Sequence, residues 1–391
     1  MFSINEMFWP AAIALAWVVG ELSFRWISLP RISSYGITGF AMAASQGEIL
    51  GDPSGQVVAQ MANVAFALIL FELGYRINLR WLRHNYWLGV TSLVESIGTF
   101  AAVFFVANAF SMSLTSSLML AALAMSTSPA AVLRVANDTR STGQITERLL
   151  HLTAFNTVLT VFVFKIVLGY WMLESAVSIP QAAWHSVMVL FISASVGVLF
   201  GVVVPGLLRL IDNRGRNSTV AFAITVILLT SLTHILGFSS LIAALAFGLV
   251  ARHRRVVLTQ TQRNFGALGD VLTVVLFVFV AASLDWKHVS DGLGIALAVI
   301  VCRFLIKTAS AALFARPSGI GWRKGALTGL AMMPMSAFVM LLLEQTKYLE
   351  LDVMNQVAGL AAIVLLLEII GPVMTQRALM LAGEANQKEG D

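Results

Sequence analysis

MSTSPAAVLRVANDTRSTGQITERLLHLTAFNTVLTVFVFK, residues 125–165, places polar chemistry inside two stretches that are otherwise apolar enough to cross a membrane. A helix beginning near Leu114 runs into Ser126-Thr127-Ser128-Pro129. Pro129 removes a backbone donor and clashes with the carbonyl four residues back, so the helix breaks there. In hydrocarbon the freed backbone groups can be satisfied only by protein or in a water-filled cavity, and the break therefore predicts a cavity at that depth. The next helix carries a polar stripe, readable as ion coordination facing the break or as hydrogen-bonding glue between helices. Thr153, Asn156, Thr157 and Thr160 fall at i, i+3, i+4 and i+7 on one face, while Val158, Leu159, Val161 and Phe162 cover the others.

Working outward, the 391 residues are 58% hydrophobic and only 12% charged, with a mean hydropathy of +0.84. That composition excludes a soluble globular protein and predicts an all-α polytopic membrane protein. Thirteen apolar runs follow one another, at 7–24, 30–45, 57–75, 86–108, 114–136, 147–172, 183–209, 218–234, 238–251, 265–283, 290–315, 323–344 and 354–381. A span needs about 20 residues to cross about 30 Å of hydrocarbon. The division between the eighth and ninth runs rests on Gly237-Phe238-Ser239-Ser240, with one long helix as the competing reading. Residues 7–24 have no basic residue before them and no small-residue cleavage site after, so they read as a retained span. Of the 25 Lys and Arg, twenty fall in alternate joints, which puts the N-terminus outside and the C-terminus in the cytoplasm. The net charge of +5 is thus a topology signal and does not point to nucleic acid. The single cysteine, Cys302, excludes an internal disulfide. The six histidines are scattered without metal-ligand spacing. No Walker loop or G-x-G-x-x-G is present, so a nucleotide and an organic cofactor are not expected, and energy must come from gradients.

A second interruption, Ala331-Met332-Met333-Pro334-Met335-Ser336, sits at a depth similar to the first and seven spans later. An odd separation makes the two helices run in opposite directions, and paired broken helices in two halves of a chain point to a transporter built from inverted repeats. Arg303 and Lys307 share a face of the eleventh run. Charges at that depth face a cavity or a partner; an ion pair between bundles and a site for an anion are both open. Glu95, with Thr91 and Thr99 on its face, forms another polar stripe. It could carry a proton, pair with Lys307, or be a buried structural acid. Glu72 and Glu368 read as structural, Asp270 as a solvated helix-terminus carboxylate, and Lys165 as a side chain reaching the interface beside Tyr170 and Trp171. His151, next to the stripe on 147–172, could sense pH or be structural.

In order along the chain, Leu29-Pro30-Arg31 with Tyr35-Gly36, LILFELGYRINLRWLR (68–83), STSPAAVLRV (126–135), CRFLIKTAS (302–310), GLAMMPMSAFV (329–339) and EIIGPVMTQRAL (368–379) together resemble the monovalent cation:proton antiporter superfamily over nearly the whole length. The resemblance implies a sodium/proton antiporter-like fold with two crossing broken helices, broken at Pro129 and Pro334, and a homodimer in a bacterial inner (plasma) membrane. It further implies core helices at about 86–172 and 265–344 that move against a dimerisation scaffold made by the rest of residues 1–382, with 383–391 as a short cytoplasmic tail. In these antiporters the helix matching 147–172 carries an acidic pair, or asparagine followed by aspartate, and a lysine matching Lys307 pairs with the acid. Here the matching positions are Asn156 and Thr157. A threonine hydroxyl can coordinate a cation but cannot release a proton near neutral pH. The lead expectation is therefore exchange of Na+ or K+ for protons, with the cation at Thr127, Ser128, Asn156 and Thr157, and with Glu95 or Lys307, beside Arg303, supplying the titrating group. Two other readings stay open. One is a non-coupling antiporter fold acting as a sensor or as the membrane subunit of a complex; the other is an anion or organic acid carrier. None of the three is an enzyme.

Overall fold

The computed structural model describes residues 7–43, 56–172, 179–211, 218–254, 265–284, 286–347 and 359–385. Every regular element among them is helical: α1 (Phe8–Ile27), α2 (Arg31–Ala41), α3 (Gln56–Arg76), α4 (Leu79–His84), α5 (Trp87–Ala109), α6 (Leu114–Ala124), α7 (Pro129–Asp138), α8 (Gln144–Met172), α9 (Ile179–Ile211), α10 (Ser218–Ile235), α11 (Ser240–His253), α12 (Gly266–Ala282), α13 (Trp286–Asp291), α14 (Leu293–Leu313), α15 (Trp322–Ala331), α16 (Phe338–Lys347) and α17 (Leu360–Leu381). Among the described residues, seven spans are long and apolar enough to cross a membrane, α6–α7 counting as one; Thr219–Ile235, Ser240–His253 and Leu268–Ala282 are shorter apolar helices. The Gly237 joint separates α10 from α11: Gly237 turns through positive φ, and the Ser239 hydroxyl caps α11 by accepting from Ile242 N.

The chain divides into two compact units, one of Met1–Gly55, Arg80–Thr160 and Phe277–Asp391, the other of Gln56–Leu79 and Val161–Leu276. Within the second unit, small residues let helices touch backbone to backbone. A Cβ at Gly74 would meet the Leu245 carbonyl, and one at Gly248 would meet the Phe71 carbonyl. Close approach of this kind is how helices associate where lipid is as apolar as the side chains. Phe71 fills the space beside that seam with Phe222, Phe247 and Phe265 at ring distances of 5.2, 4.7 and 5.5 Å. Arg252 closes the end of α3 by donating to the Tyr75 and Arg76 carbonyls, groups a helix C-terminus leaves unpaired. Glu72 bonds Arg76 at 2.7 Å one turn along, a structural ion pair.

The first unit holds all the candidate site residues. Here α5 is built inside out. Thr91, Ser92, Glu95, Ser96 and Thr99 are buried, whereas Leu93, Ile97 and Phe105 are exposed, the orientation hydrocarbon imposes on a helix with a polar face. The contact between α14 and α15 is again made by glycine, since a Cβ at Gly329 would strike the backbone of Lys307 and Thr308. α17 lies over the second interruption, where Thr375 Oγ1 donates to the Ala331 carbonyl at 2.8 Å and Gly371 allows contact with Pro334. The residues just after α17 are docked. Glu384 accepts from Ile145 N and Thr146 N at 2.8 Å each, capping α8, and Ala382 and Ala385 pack on Val135, Ile145 and Leu379. Residues 386–391 of the expected tail lie outside the described residues.

Candidate functional site

The site forms where two unwound segments meet. After α6 the chain unwinds at Met125–Ser128. Ser128 then takes an extended conformation, its hydroxyl accepts from Ala131 N at 3.2 Å, and Pro129 occupies the first turn of α7. Proline is well suited there, because its missing N–H is one that a helix start leaves unbonded anyway. Between α15 and α16 the chain unwinds again at 332–337. The two segments are stitched together: Ser128 N donates to the Pro334 carbonyl at 2.9 Å, Thr127 Oγ1 to the Met332 carbonyl at 3.4 Å, and Ser336 N to Ser126 Oγ at 3.4 Å.

Two cations on α14 face this crossing. Arg303 Nη2 donates to the carbonyls of Ser126 and Met333, at 3.0 and 3.2 Å, and so ties both segments to one guanidinium. Lys307 Nζ donates to the Met125 carbonyl and to Thr127 Oγ1, each at 3.3 Å. Carbonyls freed at a helix C-terminus carry partial negative charge, which favours cations in this position. Lys307 also forms an ion pair with Glu95 Oε1, and both side chains are 0% exposed. A buried pair persists only if its remaining lone pairs and protons are also bonded, and here they are. Thr99 Oγ1 donates to Glu95 Oε1 at 3.2 Å, and Asn156 Nδ2 donates to Glu95 Oε2 at 2.9 Å.

Asn156 organises the rest. Its amide nitrogen also donates to Thr127 Oγ1 at 3.0 Å, while its oxygen accepts from Ser92 at 2.9 Å and from Ser96 at 3.4 Å. All four positions of the amide are used. The first break, α5, α8 and α14 thus converge on one carboxylate that lies within reach of a lysine, an amide and several hydroxyls. A carboxylate in this setting can hold one positive charge at a time, as an ammonium, a proton or a metal cation.

The sequence matches the family model described as "Sodium/hydrogen exchanger, transmembrane" over residues 11–381. The chain belongs to the sodium/hydrogen exchanger family. The exchanger also matches the solved structure of the sodium proton antiporter MjNhaP1 from Methanocaldococcus jannaschii at pH 8, with TM-score 0.70 and 15% identity over 97% of this chain and 95% of that one. That likeness shows an antiporter fold. No curated protein sequence matches the exchanger.

Among the residues expected from sequence, Glu95, Thr127, Asn156, Arg303 and Lys307 come together in this exchanger, with Pro129 and Pro334 at the two interruptions. Ser128 serves through its backbone N–H and as the cap of α7. Thr157 is buried beside Asn156, but its hydroxyl donates to Thr153 O at 2.9 Å on its own helix, and Thr153 donates to Leu149 O at 2.7 Å. Thr91 likewise bonds Trp87 O. His151 Nδ1 donates to the Glu147 carbonyl at 2.7 Å on its own helix, and the ring packs on Trp81 at 4.8 Å. Sequence reasoning missed Ser92 and Ser96. The available signal was their place one turn before and one residue after Glu95, on a helix whose opposite side carries Leu93, Val94, Ile97 and Phe105.

Proposed function

We propose that this family member exchanges Na+ or K+ for protons by alternating access, with Glu95 as the carrier carboxylate that position 157 does not supply and Lys307 as its competing partner. The observation that carries the reading is the fully buried Glu95–Lys307 pair, hydrogen-bonded to Asn156 and Thr127 at the crossing of the two breaks. In the proton-loaded state the Lys307 ammonium neutralises Glu95. When Lys307 releases its proton to water the neutral amine no longer holds the carboxylate, and a cation takes its place with help from the Met125 carbonyl and Thr127 hydroxyl oxygens that the ammonium had held. The balance is one proton out for one cation in, so the core carries the same charge in both states. Equal charge lets both loaded forms cross, whereas an empty ionised site would have to move an uncompensated charge through hydrocarbon. In this reading the helices at about 86–172 and 265–344 form the moving core of a homodimer. The chain lies in a bacterial inner membrane with thirteen spans, the N-terminus outside and the C-terminus in the cytoplasm, an orientation supported by the distribution of Arg and Lys.

The test is proton flux in proteoliposomes, followed with an internal pH dye as Na+, K+ or Li+ is added to wild type, Lys307→Ala and Thr157→Asp. Cation-dependent flux in wild type, lost in Lys307→Ala and retained in Thr157→Asp, is expected. A silent wild type under all three cations across several pH values would overturn the proposal. One observation favours a second reading, an anion carrier: Arg303 Nε and Nη1 are buried without a hydrogen-bond partner among the described residues. Protection of Lys307 from acylation by an anion, and not by Na+ or K+, would select it.

A further inference from the structure

Glu368 stands on the ninth residue of α17, 4% exposed, and neither carboxyl oxygen has a hydrogen-bond partner among the described residues. Among the described residues, the charged or titratable side chains on the helices packed against α17 are engaged elsewhere or exposed. Arg31 of α2 pairs with Glu21 and Asp138, and Arg134 of α7 with Asp138. Tyr35 of α2 packs on Gly20. Lys307 of α14 pairs with Glu95, and Arg303 holds the two carbonyls. Arg323 and Lys324 of α15 and Asp291 of α13 are exposed. On the α2 side the carboxyl group meets Gly36, where a Cβ would lie 3.4 Å from Glu368 Cγ, and the nearby Ser33 hydroxyl is already donated to the Ile369 carbonyl at 2.8 Å.

A lone ionised carboxylate cannot stay in such a place; burial of an unpaired charge costs far more than a fold can offset, so something must neutralise it. A metal cation would need several oxygen ligands around it, and among the described residues no cluster of three or more His, Cys, Asp or Glu is present to hold one. We infer that Glu368 is a second proton-binding site of this chain, separate from the Glu95 cluster, on the face of the terminal helix that holds the second helix break. That face is continuous: Glu368, Gly371 and Thr375 fall at i, i+3 and i+7, with Gly371 against Pro334 and Thr375 bonded to the Ala331 carbonyl. With its proton, Glu368 lies neutral between α2 and α17 and the face rests on the break. Without it, the carboxylate must reach water, which pulls the same face away from Pro334 and stops exchange. Rising pH therefore disables the transporter through Glu368 independently of the central pair.

The experiment is infrared titration of the purified full-length protein in lipid, reading the carbonyl stretch of protonated carboxylic acid in wild type, Glu368→Gln and Glu95→Gln, with thermal unfolding as a check that each variant is folded. A protonated-acid band present at neutral pH, lost in Glu368→Gln and kept in Glu95→Gln, is the expected result. A band that Glu368→Gln leaves unchanged would overturn the inference. Because this readout needs no transport, it stands or falls apart from the exchange mechanism proposed above. In proteoliposomes, Glu368→Gln should keep flux at acid pH and shift the alkaline fall of the profile upward; an unshifted profile counts against the coupling to the break.

Discussion

The segment at Ser126-Thr127-Ser128 brings hydroxyls to the crossing as well as the Met125 and Ser126 carbonyls, whereas the one at Met332-Met333-Pro334 brings carbonyls alone. Thr127 Oγ1 touches both Asn156 and Lys307, and Ser128 fixes the start of α7. From the other side, the carbonyls of Met332, Met333 and Pro334 accept from Thr127, Arg303 and Ser128, and the methionine side chains are buried away as packing. One break therefore carries chemistry in side chains as well as backbone and the other carries it in its backbone, so the two should respond differently to side-chain substitution.

The largest effect should come from the pair both breaks surround. Glu95→Gln leaves Lys307 as an uncompensated buried charge, a loss of about 3–5 kcal/mol, and exchange should vanish in proteoliposomes. Adding Lys307→Met should restore thermal stability without restoring flux. If the double variant transports, the pair is structural only. Next comes Arg303→Met, which unties both segments at once. Hydrogen bonds to a charged group contribute about 1.5–3 kcal/mol, so a clear loss of stability in a thermal unfolding scan and a severe loss of flux are expected together.

Smaller changes sharpen the contrast between the breaks. Thr127→Val removes a hydroxyl worth about 1 kcal/mol, or roughly a fivefold change in cation affinity, while Met332→Leu, a swap of similar volume, should leave affinity unchanged. Equal effects on apparent affinity in the two variants would erase the distinction. The smallest effect on transport tests the backbone break from outside. In Gly371→Ala the new Cβ would lie 2.6 Å from Pro334 Cα, and relieving that clash should cost about 1–3 kcal/mol of stability. Cation affinity should change less than in Thr127→Val, because no liganding oxygen is lost.

Much of this was legible in the chain because the signals are local. Pro129 after Ser128 marks a helix start whatever surrounds it, and Arg303 and Lys307 inside an apolar run must face something polar. What was illegible is how each hydroxyl spends its hydrogen. A threonine or serine in a helix can bond its own backbone a turn back, as Thr91, Thr153 and Thr157 do, or reach across, as Ser92 and Ser96 do. The choice depends on how close the next helix lies, and periodicity alone does not contain that distance. Glu368 was hidden for the same reason: its carboxyl group meets the α2 surface at Gly36, which its neighbours in sequence do not foretell.

The most direct measurement of the central claim is proton release on cation binding. Purified protein in weakly buffered detergent is titrated with Na+ or K+ while the pH is recorded, for wild type and Glu95→Gln. The account predicts close to one proton released per bound cation in wild type and none in Glu95→Gln. Undiminished release in the Glu95→Gln variant would contradict it and move the exchange chemistry to another group.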